Sequence, residues 1–291
     1  MIDAVDHIVL AVEDLEAASA DLQSLLGREP SWRGEHPGYG TANVLFRFER
    51  IYIELLAAVG EGSVADSVQQ HLAEKGEGIF AVALRTGDAM SCVAGLRDKG
   101  LSPSDPMDGV GATADGRERR WQTVFLPADE TRGIHLFIIE HLTPDELLPE
   151  SRPCGSGCVA GIDHVVIMSA DADATRNLYR DMLGLRLALD REFPDWGARQ
   201  LFFKIDGVVL EIGASLKEPP DATKPDELWG ICWRVPEIDL AHARLSEAGW
   251  DLSEVRTGRK PGTRVCTVRN RTHGVATLLL ASEPRSPEPQ A

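Results

Sequence analysis

One histidine–glutamate pair is written into this chain twice, at identical spacing. His7 lies in Asp6-His7-Ile8-Val9-Leu10 and Glu54 in Ile53-Glu54-Leu55. His164 lies in Asp163-His164-Val165-Val166-Ile167 and Glu211 in Leu210-Glu211-Ile212. Each histidine precedes its glutamate by 47 positions (54 − 7, 211 − 164), and the copies stand 157 apart (164 − 7, 211 − 54). A fixed period marks a duplicated structural unit. The repeated residues are an imidazole and a carboxylate on apolar, strand-like runs, the usual ligands of a divalent metal.

Around each pair the chain alternates strand and helix signals in the same order. After His7, Asp14 offers a helix cap, Leu15, Ala18, Leu22, Leu25 and Leu26 fall at helical spacing, and Gly27 is a stop. Strands are expected around Trp32, at Asn43–Phe48 and at Ile51–Ala57. The second copy repeats this: strand Val165–Met168, helix Ala174–Leu183 stopped at Gly184, then strands Leu187–Arg191, Arg199–Ile205 and Val208–Gly213. Weaker versions fill the gaps, with helix stops at Gly100 and Gly249. The spacing therefore predicts an α+β chain of four tandem βαβββ modules forming two barrel-like domains. One domain is 1–142 and the other 161–282. The Pro- and Gly-bearing stretch 143–160 is the linker between them, and the proline-rich tail 283–291 is expected to be disordered.

The charge balance narrows the partners. With 46 acidic against 30 basic residues the formal net charge is −16. That disfavours a general nucleic-acid or anionic-membrane binder, since both need a positive surface. No apolar run long enough for a transmembrane helix is present, and the first residues lack the regions of a signal peptide. The five cysteines are odd in number and mostly set in strand or helix patterns, which reads as a reducing cytoplasm. Cys154-Gly-Ser-Gly-Cys158 has neither the two-residue gap of a zinc ribbon nor a matching second pair. A homodimer is compatible with all of this.

The fourfold unit, with His on the first strand and Glu on the last, resembles the vicinal oxygen chelate superfamily. That group includes glyoxalase I, extradiol dioxygenases, methylmalonyl-CoA epimerase and bleomycin-resistance proteins. The resemblance covers nearly the whole chain. His36-Pro-Gly-Tyr-Gly-Thr-Ala-Asn43, Tyr52-Ile-Glu54-Leu and Phe137-Ile-Ile-Glu140 make the N-terminal half similar to a glyoxalase-like subfamily. Asp163-His164-Val-Val and Tyr179-Arg-Asp-Met-Leu-Gly184-Leu carry the resemblance in the other half. It implies two units curled into a half-open barrel, with inward ligands on first and last strands holding a divalent metal (Fe, Mn, Ni or Zn). The metal would act as a Lewis acid toward neighbouring substrate oxygens. Fold does not fix the reaction, because this fold hosts many chemistries.

The expected ligand sets are incomplete. The fourth unit should supply ligands near Gly230 and Leu278, and the second near Ala81 and Phe137; none can bind metal through its side chain. His135, two residues before Phe137, is a candidate third ligand, and Cys232 a substitute near Gly230. Two alternatives stay open. Units one and three could share a barrel and bring His7, Glu54, His164 and Glu211 together, or the pockets could bind organic molecules without metal. Glu54 and Glu211 are the candidate catalytic groups. His36, Asn43, Arg119, Arg120, Trp121, Trp196 and Trp233 are candidates for contact with a ligand, the arginines as an anion clamp. The bland readings are a structural Asp–His pair, a solvated arginine loop and tryptophans in the core. The intact His–Glu pairs favour a metal-dependent lyase, isomerase or oxygenase on a small oxygen-rich or aromatic molecule; the missing partners favour a metal-free sequestering protein. The N-terminal half is expected to hold the better-formed site.

Overall fold

The computed structural model describes residues 1–282; the tail expected to be disordered lies outside the described residues. The first half runs β1 (Ile2–Ala11), α1 (Leu15–Leu26), β2 (Trp32–His36), β3 (Thr41–Arg47), β4 (Tyr52–Ala58), α2 (Ser63–Lys75), β5 (Gly78–Thr86), α3 (Ala89–Asp98), β6 (Met107–Ala112), β7 (Glu118–Phe125) and β8 (His135–His141). The second runs β9 (Gly161–Ser169), α4 (Ala172–Arg176), β10 (Leu187–Phe193), β11 (Ala198–Ile205), β12 (Val208–Ser215), β13 (Glu227–Arg234), α5 (Ile238–Glu247), β14 (Arg256–Thr257), β15 (Thr263–Val268) and β16 (Ala276–Ser282). These are the four expected modules, two in each half.

Local chemistry sets the ends of the helices. The Asp14 carboxylate accepts from the backbone of Glu16 and Ala17, satisfying two free N–H groups of α1. Gly27, Gly100, Gly184 and Gly249 all take positive φ after their helices, a conformation that costs glycine least. The helix expected over 174–183 begins earlier, at Ala172, and passes from α4 into a π-helical stretch at Asn177–Met182. Helix α2 was not foreseen: its N-terminal Gly62 provides no side-chain cap.

The strands of the first half close into a barrel in the order β1-β4-β3-β2-β6-β7-β8-β5. Those of the second form an open eight-stranded sheet in the equivalent order, with β10 and β14 at its edges. Unit one pairs with unit two through β1 and β5, and unit three with unit four through β9 and β13. The four repeated His and Glu residues therefore do not share one barrel, because the first strands of adjacent units pair directly.

Closure of the barrel hangs on one ladder pair, Glu35 with Ala112. Gly34 makes that approach possible: a Cβ there would stand 2.7 Å from the Ala112 carbonyl oxygen and 2.4 Å from Trp32 Nε1. The two halves share a continuous apolar core. Trp233 packs into it against Phe48, ring centroids 6.2 Å apart. Arg132–Asp226 at 3.1 Å and His273–Glu77 at 2.8 Å also join the halves. No helix among the described residues is long and apolar enough to cross a membrane.

Candidate functional site

A bulge places the first polar pair. Along β1, Val5 faces Leu84 and His7 faces Ala83, so Asp6 is an extra residue without a partner on β5. A bulge re-aims a side chain that strict alternation would send to the opposite face. Here it lets the Asp6 carboxylate reach Nδ1 of the adjacent His7, at 2.7 Å. Nε2 of His7 then points at Glu54 Oε2, 3.2 Å away. Asp6 also accepts from Arg85 at 2.6 Å and lies 2.9 Å from His141 Nε2.

Asn43 completes the network from β3. Its amide nitrogen donates to Glu54 Oε1 at 2.7 Å and lies 3.1 Å from His36 Nε2. The carboxylate can only accept, so it fixes which end of the amide faces it. The amide nitrogen can only donate, so His36 Nε2 accepts from it and Nδ1 carries the proton toward the Thr41 hydroxyl, 3.0 Å away. Burial lowers the pKa of His36, with Arg119 and His7 adding to the effect against Glu54.

Burial alone would raise the pKa of Glu54, but the hydrogen bond and charge of His7, with His36 and Asn43, outweigh it and bring the carboxyl down to about 2. For His7, burial acts to lower the pKa, and the two flanking carboxylates reverse it to a net rise. His7 thus stands between two carboxylates that both favour its protonated form.

These groups face a cavity of about 190 Å³ inside the barrel. One end is polar, with His7, Glu54, Asn43, His36 and Arg119. The other is apolar, walled by Val9, Leu56, Phe80 and Phe137 and covered by Val64 of α2. Trp121 reaches across β6 because Gly109 and Gly111 carry no side chain: a Cβ on Gly109 would stand 2.3 Å from its Nε1. The arginine run expected before a strand is part of β7, and alternation separates its members. Arg119 points inward and is 8% exposed, whereas Arg120 turns to the outer face and pairs with Glu118 at 3.0 Å, away from the cavity. His135 lines the mouth, its ring 4.7 Å from Phe80, but lies level with Ala81 and Val9. The residues level with His7 are Ala83 and Phe137, and the Phe137 ring meets the His7 ring edge-on at 5.4 Å.

The second half repeats more than the His–Glu pair. Cys232 faces His164 and Trp233 faces Ile162, so Asp163 is bulged as Asp6 is. Its carboxylate binds His164 Nδ1 at 2.9 Å, and His164 Nε2 stands 3.5 Å from Glu211. Gln200, 157 positions after Asn43 (200 − 43), donates to Glu211 at 2.7 Å. The same offset relates Asp6 to Asp163 (163 − 6), so Asp-His-Asn/Gln-Glu is the repeated quartet. The period already held this signal; a search confined to metal ligands passes over amides. In this half burial raises the pKa of Glu211, against the opposing charges of His164 and Arg259.

The tryptophan candidates divide. Trp233 is 1% exposed in the core between the halves and lines no site. Trp196 sits on a turn beside the edge strand β10, stacked on Phe193 at 4.5 Å with the Arg259 guanidinium 4.7 Å from its ring. The five cysteines are free thiols.

The two halves answer differently to a metal ion. In the barrel, the strands that should complete the ligand set present Ala83 and Phe137 to His7, and neither carries a donor. His7 and Glu54 do not make a protein-built centre, since such centres use three or more protein ligands. In the open sheet, Asp163, His164 and Cys232 offer ligand atoms all within 4.8 Å of one another, the one such group among the described residues. The missing fourth-unit ligand is thus answered by Cys232, which the ladder brings to His164 in place of Gly230.

Comparison with known proteins agrees with this architecture. The family described as a glyoxalase-like domain matches residues 5–159. The glyoxalase/bleomycin resistance protein/dioxygenase superfamily matches residues 163–267. An ethylmalonyl-CoA/methylmalonyl-CoA epimerase of Cereibacter sphaeroides is 31% identical over 114 residues, 38% of this chain and 83% of that protein. Among solved structures, a mutant 4-hydroxymandelate synthase from Streptomyces coelicolor superposes with a TM-score of 0.67 at 13% identity, over 99% of this chain and 95% of that one. A hypothetical protein from Staphylococcus aureus gives 0.66 at 15% identity, over 95% and 98%. These two likenesses are of fold.

Proposed function

Because the chain belongs to the glyoxalase-like domain family, within the vicinal oxygen chelate superfamily, we propose that its N-terminal barrel moves a proton on one small carbonyl compound, as an isomerase or lyase would. The observation that carries this reading is the buried His7–Glu54 pair, an acid and a base 3.2 Å apart at the polar end of the cavity. No step needs a metal held by the barrel.

At rest Glu54 is a poor base, because His7 and Asn43 hold its carboxylate in the charged form. A carbonyl oxygen arriving at His7 would take the Nε2 proton donor away from Glu54. The carboxylate would lose its strongest partner and its pKa would climb toward the ordinary range, where a base is effective. The C–H beside the carbonyl would break, its proton passing to Glu54 and its electron pair to the oxygen held by His7. Return of the proton to carbon completes an isomerisation. Asp6 keeps the imidazolium oriented throughout.

The test is exchange in deuterium oxide, followed by proton NMR, with 2-oxobutanoate and butanone as probes. The protein should speed loss of the proton signal next to a carbonyl, and Glu54→Gln should abolish the acceleration. Tight uptake with no exchange would replace this reading by a metal-free sequestering protein.

A second reading is supported by the Asp163, His164 and Cys232 group. Carboxylate, imidazole and thiolate donors suit Zn or Fe, and these three residues would hold such an ion on the open sheet. Bound there, it would supply Lewis-acid chemistry. Cobalt(II) added to the protein should give a thiolate charge-transfer band that Cys232→Ser removes; absence of the band would end this reading. The domain limits we propose are 1–142 and 161–282 around the segment 143–160, and the free thiols favour a cytoplasmic setting.

A further inference from the structure

The polar end of the cavity holds one positive charge with no counterion. Arg119 is 8% exposed and is the one arginine or lysine lining the cavity among the described residues. Its neighbours in the run are paired: Arg117 with Asp115 at 3.1 Å and Arg120 with Glu118 at 3.0 Å. Arg85 and Arg132, also withdrawn from solvent, pair with Asp6 at 2.6 Å and Asp226 at 3.1 Å. Arg119 instead lies near the rings of Trp32 and Tyr52, 5.7 and 5.8 Å from their centroids, with the Tyr52 hydroxyl close by. Aromatic faces and one hydroxyl offset only part of the cost of withdrawing a guanidinium from water. A buried charge without its partner calls for an anion to complete it.

A second atom in the same space lacks a partner. Asn43 is 3% exposed and lines the cavity, and its Oδ1 is buried with no hydrogen bond. Its Nδ2 is committed to Glu54 and His36, so Oδ1 is left to accept from whatever enters. The opposite end is mainly apolar, with Val9, Leu56 and Phe80, beside Ser67 and His135. The volume, about 190 Å³, is below the roughly 300–1,000 Å³ of sites for drug-sized ligands.

We propose that Arg119 is the anchor for the carboxylate of a small monoanionic ligand, whose apolar body fills the end of the cavity under α2 and whose hydrogen-bond donor meets Asn43 Oδ1. This rests on the reading that the N-terminal cavity is where the organic molecule binds. A single guanidinium matches one carboxylate through two parallel hydrogen bonds. A phosphate dianion would bring a second negative charge toward ionised Glu54, so a carboxylate is the better fit.

The experiment is calorimetric titration of the full chain with phenylacetate, with its uncharged isostere phenylacetamide, and with inorganic phosphate. Phenylacetate should bind roughly 10- to 100-fold more tightly than the amide, the range of a charge-assisted hydrogen bond. Phosphate should bind no better than the amide. Arg119→Met should erase the preference for the acid, and Arg119→Lys should keep part of it. Equal affinity for acid and amide in the unaltered protein would overturn the proposal without recourse to any variant, as would undiminished acid binding by Arg119→Met. Glu54→Gln should still bind phenylacetate. Acid-selective binding without deuterium exchange would remove the proton-transfer reading and leave the anchor standing. Exchange on butanone as fast as on 2-oxobutanoate would do the reverse.

Discussion

The two halves carry the same quartet, bulge included, in two settings. In the first, β2 meets β6 and the sheet closes, and the His7 and Glu54 side chains are 3% and 10% exposed. In the second, β14 is two residues long, the sheet stays open, and the His164 and Glu211 side chains are 18% and 15% exposed. The glutamates respond in opposite directions. Glu54 falls to about 2 because closely packed His7, His36 and Asn43 overcome burial, while Glu211 rises because burial outweighs a looser contact with His164 at 3.5 Å. Residue identity and closure both distinguish the sites: His36 and Asn43 stand where the second half has Phe193 and Gln200, and Ala83 faces His7 where Cys232 faces His164. The closed half encloses a cavity and holds its histidine nearer its glutamate, 3.2 against 3.5 Å, whereas the open sheet leaves Asp163 and His164 beside the Cys232 thiol at metal-ligating distance.

The sharpest break of this comparison is removal of the bulged aspartate from each half. Asp6 is fully buried and serves His7, Arg85 and His141 together. Asp6→Asn would strand the Arg85 and His7 charges, and by the usual cost of breaking a buried ion pair it should lose about 3–5 kcal/mol. Asp163 is 31% exposed at its side chain and bonds only to His164 among the described residues, so Asp163→Asn should cost about 1 kcal/mol or less. Urea denaturation of both variants measures the gap. Equal losses would mean that closure does not separate the sites.

Titration comes next in size. The pKa of Glu54 lies below its ordinary 4.5, so the folded state binds fewer protons than the unfolded chain between 4.5 and about 2. Its contribution, about 3 kcal/mol by linkage, is fully present above pH 4.5 and is lost as the pH falls toward 2. Glu211, shifted upward, acts in the opposite sense: above 4.5 and up to its raised value, the folded state keeps a proton that the unfolded chain has released, so stability falls as pH rises through that interval. Carboxyl carbon NMR, with Glu54→Gln and Glu211→Gln to assign the signals, should show one midpoint below 4.5 and one above. Two midpoints on the same side would contradict the contrast.

Much of this was legible in the sequence, and the failures have physical causes. The His–Glu period and the glycine helix stops follow from local patterning, and local patterning survives folding. The ladder does not follow from it: a bulge on β1 sets Ala83, not the expected Ala81, beside His7, while Phe137 lies at the expected level. His135 lies two residues from the level of His7, as its spacing from Phe137 implies, and the bulges between β9 and β13 set Cys232 beside His164. Arg119 and Arg120 looked equivalent in a presumed loop; strand alternation buries one and exposes the other. Helix α2 escaped notice because, without a capping side chain, its apolar residues Val64, Val68 and Leu72 had no start signal beside them.

Closure itself can be traced to a single position. Gly34 lies where β2 touches β6, and its counterpart 157 residues on, in the open sheet's edge strand β10, is Arg191 (191 − 34). A methyl group at 34 would collide with the Ala112 carbonyl and the Trp32 indole, at 2.7 and 2.4 Å. The backbone oxygen cannot swing aside as a side chain can, so β2 must move away from β6. Gly34→Ala should therefore cost about 1–3 kcal/mol, the range for overpacking. Arg191 is exposed on an unpaired edge, and Arg191→Ala should stay within about 0.5 kcal/mol. If closure is what depresses Glu54, its carboxyl midpoint in Gly34→Ala should also shift upward, toward the behaviour of Glu211. A destabilised variant whose Glu54 still titrates near 2 would assign the depression to the His7, His36 and Asn43 contacts alone, and closure would then account for the cavity but not for the charge state of the base.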